Sequence, residues 1–325
     1  MSQTEIQLGD IQAARQRIAG RIVPLHVSAS TSLSKRFPGE ILLAHEYLQT
    51  TGAFKLRGAM NAVLQLEPGT SGVTAVSTGN HGRALAYSAR QAGVPCIICM
   101  SELVPGNKLE AIRDLGAETR ILGKSQDEAE VEARRLVEEE GYTMIPPFEH
   151  PHVIAGQGTL GLEILERVPD VDTVLVQISG GGLISGIALA IKLQRPEVRV
   201  VGISMERGAA MHASQKAGKP VEVEELPTLA DSLGGGIGLD NRLTFGIVRD
   251  YVDELVLLTE EEIAEGIRHA YFNEQIIVEG AGVVGVAALL AGKVEPGGKT
   301  VALLSGKNID MELHRKIINH ENYEL

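Results

Sequence analysis

Thr173-Val174-Leu175-Val176-Gln177-Ile178-Ser179-Gly180-Gly181-Gly182-Leu183-Ile184-Ser185-Gly186 is an apolar run, three glycines and an apolar continuation, in that order. A short run that is apolar towards both sides reads as a strand covered on both faces, the condition of a parallel sheet between layers of helices. The glycines then make the strand-to-helix turn. Lacking Cβ atoms, they let a ligand come against the backbone, and their N–H groups, with the positive end of the following helix, suit a phosphate dianion. Tight packing of the turn is the competing reading, but three successive glycines exceed what packing needs. No lysine follows them, so the stretch is not a P-loop.

The alternation continues outward from there. After a first helix at 11–22 and a Ser/Thr-rich turn at 28–34, strands are read at 41–44, 72–76, 96–100, 119–122 and 142–145. Helices at 54–66, 80–92, 107–115 and 126–140 separate them, and another ends near Arg167. Downstream, strands at 198–203, 254–258 and 300–304 take turns with helices at 183–193, from Gly208 onward, and at 260–272 and 281–290. The pattern predicts an α/β fold of parallel sheets covered by helices on both faces, with ligands at strand C-termini. Pro146-Pro147 closes a set of strand-helix units opened near Thr70. A small domain over 70–146, lining a substrate cleft, is therefore expected, with 1–69 and 147–325 forming the large one.

Composition removes several function classes. The chain has 325 residues, 37 of them glycine, and a formal net charge of −12. Such a field repels nucleic-acid phosphates and anionic lipid. No apolar run approaches the ~20 residues of a membrane span, and Met1-Ser2-Gln3-Thr4-Glu5-Ile6 lacks the basic and apolar parts of a signal peptide. A cytoplasmic location is expected. Cys96-Ile97-Ile98-Cys99 spells C-x-x-C, but inside an apolar strand its ends point to opposite faces, so both cysteines are read as core.

Thr51-Gly52-Ala53-Phe54-Lys55-Leu56-Arg57-Gly58-Ala59 puts a cation at a helix start, where the dipole disfavours it. Either Lys55 is an ordinary surface lysine or its amine meets a carbonyl or anionic ligand there. Three further polar strand ends support a shared pocket: Ser77-Thr78-Gly79-Asn80-His81-Gly82, the glycine stretch, and Ser305-Gly306-Lys307-Asn308. Gly156-Gln157-Gly158-Thr159-Leu160-Gly161 matches the dinucleotide fingerprint G-x-G-x-x-G, which keeps an NAD-dependent oxidoreductase as a weak alternative. Its context is wrong, since neither a convincing strand before it nor a strand-ending acid about 20 residues later is present.

Together these stretches, in this order and spacing, resemble the fold-type II pyridoxal phosphate enzymes, the group of the tryptophan synthase β subunit. Within it the chain is similar to threonine dehydratases and serine racemase. Ser204-Met205-Glu206-Arg207-Gly208-Ala209-Ala210-Met211 and Asp231-Ser232-Leu233-Gly234-Gly235-Gly236-Ile237-Gly238-Leu239-Asp240-Asn241 resemble, more narrowly, the dehydratase of hydroxyectoine utilisation. The resemblance implies that Lys55 holds pyridoxal 5'-phosphate through an imine and later takes the substrate α-proton. Phe54 would pack on the ring, Asn80 bond its phenolic oxygen, and Ser179, Gly180, Gly181, Gly182 and Leu183 cradle the phosphate. Ser305 would face the ring nitrogen, a neutral partner that favours elimination over transamination. Ser77, Thr78, Asn80, His81 and Gln157 would take the substrate carboxylate.

Elimination of β-hydroxide from threonine, serine, 3-hydroxyaspartate or a hydroxyectoine-derived hydroxy-diaminobutyrate would give a 2-oxo acid and ammonia. An amino-acid racemase on the same scaffold is the alternative, with Thr78 working from the opposite face. Thr78 stands where serine racemase has serine and threonine dehydratases commonly have alanine. Ala53 and Ser179 also depart from the family's usual serine and glycine. A divalent cation (Mg, Ca or Mn) would map onto Glu206, the Ala210 carbonyl and position 212, where His212 replaces an aspartate. A homodimer is implied as well.

Overall fold

The opening stretch folds as a wholly buried strand, Thr173–Gln177, that turns through the glycines into a helix, Gly182–Lys192. The computed structural model describes residues 6–102, 104 and 106–325. Its strands are β1 (Val27–Ala29), β2 (Glu40–His45), β3 (Gly72–Val76), β4 (Cys96–Met100), β5 (Glu118–Ile121), β6 (Tyr142–Met144), β7 (Thr173–Gln177), β8 (Arg199–Met205), β9 (Glu254–Leu258) and β10 (Lys299–Leu304). The helices are α1 (Leu8–Ile18), α2 (Thr31–Ser34), α3 (Lys55–Val63), α4 (Asn80–Ala92), α5 (Gly106–Asp114), α6 (Gln126–Glu140), α7 (Pro151–Arg167), α8 (Gly182–Lys192), α9 (Ala210–Ala217), α10 (Leu243–Tyr251), α11 (Glu260–Glu274), α12 (Gly280–Leu290) and α13 (Met311–Ile318).

Two sheets result. The larger has the order β1-β2-β10-β7-β8-β9 and the smaller β5-β4-β3-β6. Every pairing is parallel except β1 against β2. Both faces of the large sheet are covered, as its strands show: Ile41 and Leu43 of β2 pack into the core beside α11 and α12, while Leu42 and Ala44 pack into the one beside α7 and α8. Period-two alternation between two apolar layers is what a buried parallel strand requires.

The order of strands places the site. β2, β10 and β7 are neighbours, so the segments after their C-terminal ends, leading to Lys55, Ser305 and Ser179, lie side by side. The first two are stitched together: Ala53 bridges Gly306, Phe54 N donates to the Ser305 carbonyl at 2.9 Å, and Lys307 N donates to the Gly52 carbonyl at 2.9 Å.

Some expectations needed correction. The Ser/Thr-rich turn at 28–34 instead holds the antiparallel edge strand β1 and the one-turn helix α2, capped by the Ser30 hydroxyl accepting from Leu33 N. Helices α10 and α13 were not expected. The G-x-G-x-x-G glycines lie in the middle of α7, not in a turn. A Cβ on Gly156 would sit 2.6 Å from the Arg57 carbonyl oxygen, and one on Gly161 would sit 2.7 Å from Ala190 Cβ. These glycines let α7 approach α3 on one side and α8 on the other, so the dinucleotide fingerprint is a packing device here. Cys96 and Cys99 are free and buried, and burial pushes the Cys96 thiol up to about 12. Among the described residues no helix is long and apolar enough to cross a membrane.

Candidate active site

Lys55 is the first residue of α3, reached through Gly52, whose φ of +78° suits a residue without Cβ. The helix is anchored just behind it. Arg57, fully buried, donates from Nε to Glu46 Oε1 at 2.7 Å, and from Nη1 to Glu163 Oε1 at 2.5 Å and Thr159 Oγ1 at 3.1 Å. A guanidinium fork held by two carboxylates fixes the rotation of α3 and hence the direction of Lys55.

The lysine points into a cavity of about 220 Å³. Its Nζ donates to the Pro147 carbonyl at 2.9 Å and lies 5.1 Å from the centre of the Phe54 ring. Depth in the protein pushes the amine down to about 8, because a cation loses water there without gaining a carboxylate.

The glycine turn lines the same cavity, through Ser179, Gly180, Gly181, Gly182 and Leu183. Gly181 has φ +88° and caps α8. Among the described residues the amides of Gly180, Gly181, Gly182 and Leu183 have no backbone acceptor. A Cβ on Gly180 would collide with the Phe148 ring, and one on Gly182 would lie 2.8 Å from Phe148 Cα. The turn is therefore pressed against Phe148 on one side and offers bare N–H groups at a helix N-terminus on the other.

The end of β3 supplies a third wall. Ser77, Thr78, Asn80 and His81 line the cavity. The Ser77 hydroxyl accepts from Gly82 N at 3.1 Å, which binds the turn into α4. His81 Nε2 donates to the Ile145 carbonyl at 2.7 Å, and burial, then the Lys55 charge, push its imidazole down to about 3. It is a neutral ring, not a cation for a carboxylate. Ser305 lines the cavity as well, 3% exposed.

Two expected members lie elsewhere. Gln157, on α7, is buried beside Gly58 and is not a lining residue; neither its amide nitrogen nor its oxygen has a partner among the described residues. Glu206 is 3.7 Å from Lys293 Nζ, and among the described residues no three His, Cys, Asp or Glu side chains gather as a metal site. The cation read from Glu206, Ala210 and His212 thus finds no such cluster.

Sequence reading missed Phe148, Gln177, Lys108, Asp231, Ser232 and Glu279, which also line the cavity. Pro146-Pro147 marked a boundary but gave no sign that the Pro147 carbonyl and Phe148 turn inward. Glu279 is 3% exposed, and burial, then the charge of Asp231, push it up to about 7.

Residues 20–306 match the family described as pyridoxal-phosphate dependent enzyme. The chain belongs to that family. This pyridoxal-phosphate dependent enzyme is 55% identical over 319 residues to the Sinorhizobium fredii protein named "Putative threonine dehydratase", covering 97% of this chain and 96% of that one. It is 44% identical to the L-threonine ammonia-lyase of Thermotoga maritima, covering 97% of this chain and 78% of the relative. A structure of maize serine racemase superimposes with a TM-score of 0.91 at 32% identity, covering 97% and 98% of the two chains. The residues present fit the group that defines the family. A lysine amine of lowered pKa lines the same cavity as a glycine turn whose amides have no backbone acceptor among the described residues. Those amides and the α8 N-terminus would hold the phosphate, Lys55 the aldehyde carbon, and Phe54, Asn80 and Ser305 the ring.

Proposed function

We propose that the protein is a pyridoxal phosphate-dependent lyase that converts a β-hydroxy α-amino acid to a 2-oxo acid and ammonia. The observation that carries the reading is one cavity lined by Lys55, the glycine turn and the Ser77-Thr78 end of β3 together. The names of the threonine dehydratase and ammonia-lyase relatives support it.

When bound, pyridoxal phosphate draws electrons from the substrate α-carbon, which no side chain of this cavity can do. The chain's own residues do the rest. Lys55 Nζ takes the α-proton; its lowered pKa keeps a neutral amine available near pH 7 to 8. Free N–H groups where β3 turns into α4, with the Thr78 hydroxyl, receive the substrate carboxylate. Neutral His81 packs beside them. The Ser305 hydroxyl would meet the ring nitrogen of the bound group without a charge. Phe148 packs against the α8 turn at the end that would hold the phosphate.

The cleft belongs, in this proposal, between a small domain over 70–146 and the large remainder, in a cytoplasmic homodimer. Threonine, serine, 3-hydroxyaspartate and a hydroxyectoine-derived hydroxy-diaminobutyrate are the substrates to try. The test is a 2-oxo acid and ammonia assay on the holoenzyme over β-hydroxy amino acids of both diastereomeric series. Failure with every member would remove the lyase reading.

Racemisation of an amino acid on the same scaffold is a second reading. Thr78, a hydroxyl-bearing residue, lines the cavity, and the chain superimposes on a serine racemase. Release of the opposite enantiomer of the substrate would separate it from elimination.

A further inference from the structure

Among the described residues two acids line the cavity and the proposed chemistry uses neither; Asp231 is exposed, but Glu279 is buried. It occupies the N-cap position of α12, where a carboxylate ordinarily accepts from the first turn, yet its side chain caps nothing. Its two oxygens go elsewhere. Oε1 accepts from Asn80 Nδ2 at 2.8 Å and Oε2 accepts from Asn308 N at 2.9 Å. The other end of the Asn80 carboxamide is held too, because Asn308 Nδ2 donates to Asn80 Oδ1 at 2.6 Å. Arg83 Nη1 in turn donates to Asn308 Oδ1 at 3.1 Å, which leaves Asn308 one orientation.

Asn308, oriented by Arg83, can only donate to Asn80, so Asn80 presents oxygen to Asn308 and nitrogen to the acceptor oxygen of Glu279. An amide nitrogen carries two hydrogens. One goes to Glu279 and the other is left for the cavity that Asn80 lines, the nearest acceptor there being Ser232 Oγ at 3.5 Å, the limit of a hydrogen bond.

We propose that Glu279 is a positioning residue for cofactor binding: it locks the Asn80 carboxamide so that one N–H is always aimed into the cavity as a donor. The role rests on the pyridoxal phosphate site proposed above. Around Glu279 the other charged groups are Asp231, Lys55 and Lys108, which line the same cavity, and Arg83 of α4, whose pKa burial lowers against the pull of Glu279. The glutamate thus joins three segments far apart in the chain: the start of α4, the start of α12 and the loop after β10. With glutamine at 279, one oxygen becomes an N–H donor facing either Asn80 Nδ2 or Asn308 N, so one of the two bonds is lost and Asn80 is held at its Oδ1 end alone.

The test is a double-mutant cycle on the full chain, reading pyridoxal phosphate affinity by absorbance titration in wild type, Glu279→Gln, Asn80→Ala and the double variant. Thermal midpoints of the cofactor-free proteins are read in parallel. Glu279→Gln is expected to weaken binding about ten-fold when Asn80 is present and less than about two-fold when it is alanine, the non-additivity of residues acting through one contact. The visible absorption band should move with Glu279→Gln in the Asn80 background alone. Equal weakening in both backgrounds, or a loss that only follows the thermal midpoint, overturns the proposal and makes Glu279 a structural group. A wild type that takes up no pyridoxal phosphate sinks the site reading, and this role with it. If Glu279→Gln does not fold, Glu279→Asp replaces it in the same cycle, keeping the charge while losing the reach to Asn80.

Discussion

Arg57 Nε lies 2.7 Å from Glu46 Oε1 with neither side chain exposed, two residues beyond the lysine that the site is built around. The neighbouring Glu163 shares the same guanidinium. Replacing Arg57 by leucine leaves buried carboxylates without a counter-charge and is expected to cost ~3–5 kcal/mol of stability in urea unfolding. Arg57→Lys should recover little, since an ammonium cannot serve both carboxylates with a planar fork. A loss under about 1 kcal/mol for either variant, the range of exposed pairs, would show that the triad does not hold α3.

The Lys55 amine sets a pH dependence. Held down to about 8 by burial, against 10.5 for an ordinary lysine, about one amine in ten is neutral at pH 7 instead of roughly one in three thousand. The sign is definite: the nucleophilic form grows as pH rises, is half of the total at the lowered value and is nearly complete about one pH unit above it. The rate of covalent capture of pyridoxal phosphate by the cofactor-free protein, trapped with borohydride and mapped to Lys55, should rise through pH 8 and level off by about pH 9. A rate still climbing at pH 10 contradicts the lowered pKa.

Gly180 meets Phe148 so closely that alanine there must displace the ring. Gly180→Ala is expected to weaken pyridoxal phosphate binding by about ten-fold or more, the range of small overpacking penalties. Phe148→Leu in the same chain should restore part of the loss by making room. No restoration would mean that the methyl obstructs the phosphate itself.

The α7 glycines are expected to matter for folding and not for a nicotinamide. A Cβ at 156 would fall 2.6 Å from the Arg57 carbonyl oxygen and 2.7 Å from Gly58 Cα, all backbone atoms. Gly156→Ala should cost ~1–3 kcal/mol or more. Saturable NAD binding to the wild type, lost in this variant, would restore the dinucleotide reading.

Thr78→Ala separates the two proposed chemistries. If the hydroxyl works in racemisation beyond its contact to the carboxylate, the variant keeps most 2-oxo acid formation and loses the opposite enantiomer. Equal loss of both products would leave the carboxylate contact as the whole of its part.

Legibility followed the physics of each stretch. Buried parallel strands announce themselves by apolar runs, and the glycine turn by a conformation few residues reach, so β7, α8 and the cradle were readable. Lys55 was readable because a cation at a helix start contradicts the dipole. Strand β1 was hidden: Val27-Ser28-Ala29 is three residues of an edge in a serine-rich run, where turn and strand chemistry coincide. Glu279 was hidden for another reason. An acid before a helix is ordinary, and only the strand order, which brings the loop after β10 beside the start of α4, shows that its carboxylate points away from its own helix. Gln157 shows the opposite failure. Its motif was legible, but which face of α7 it occupies depends on helix packing that no local pattern records.

Helix α7 touches both halves of the proposed cofactor site without contributing to either. Gly156 meets the helix that carries Lys55, while Gly158 and Gly161 meet the helix behind the phosphate cradle. It works as a spacer gauge: the gap between the amine and the anion end is set by how near two neighbours can lean on one rod. Inserting a single residue into it turns everything beyond by about 100°, so the glycines on its two flanks would lose register with each other. A chimera with a relative should therefore exchange α3, α7 and α8 as one cassette.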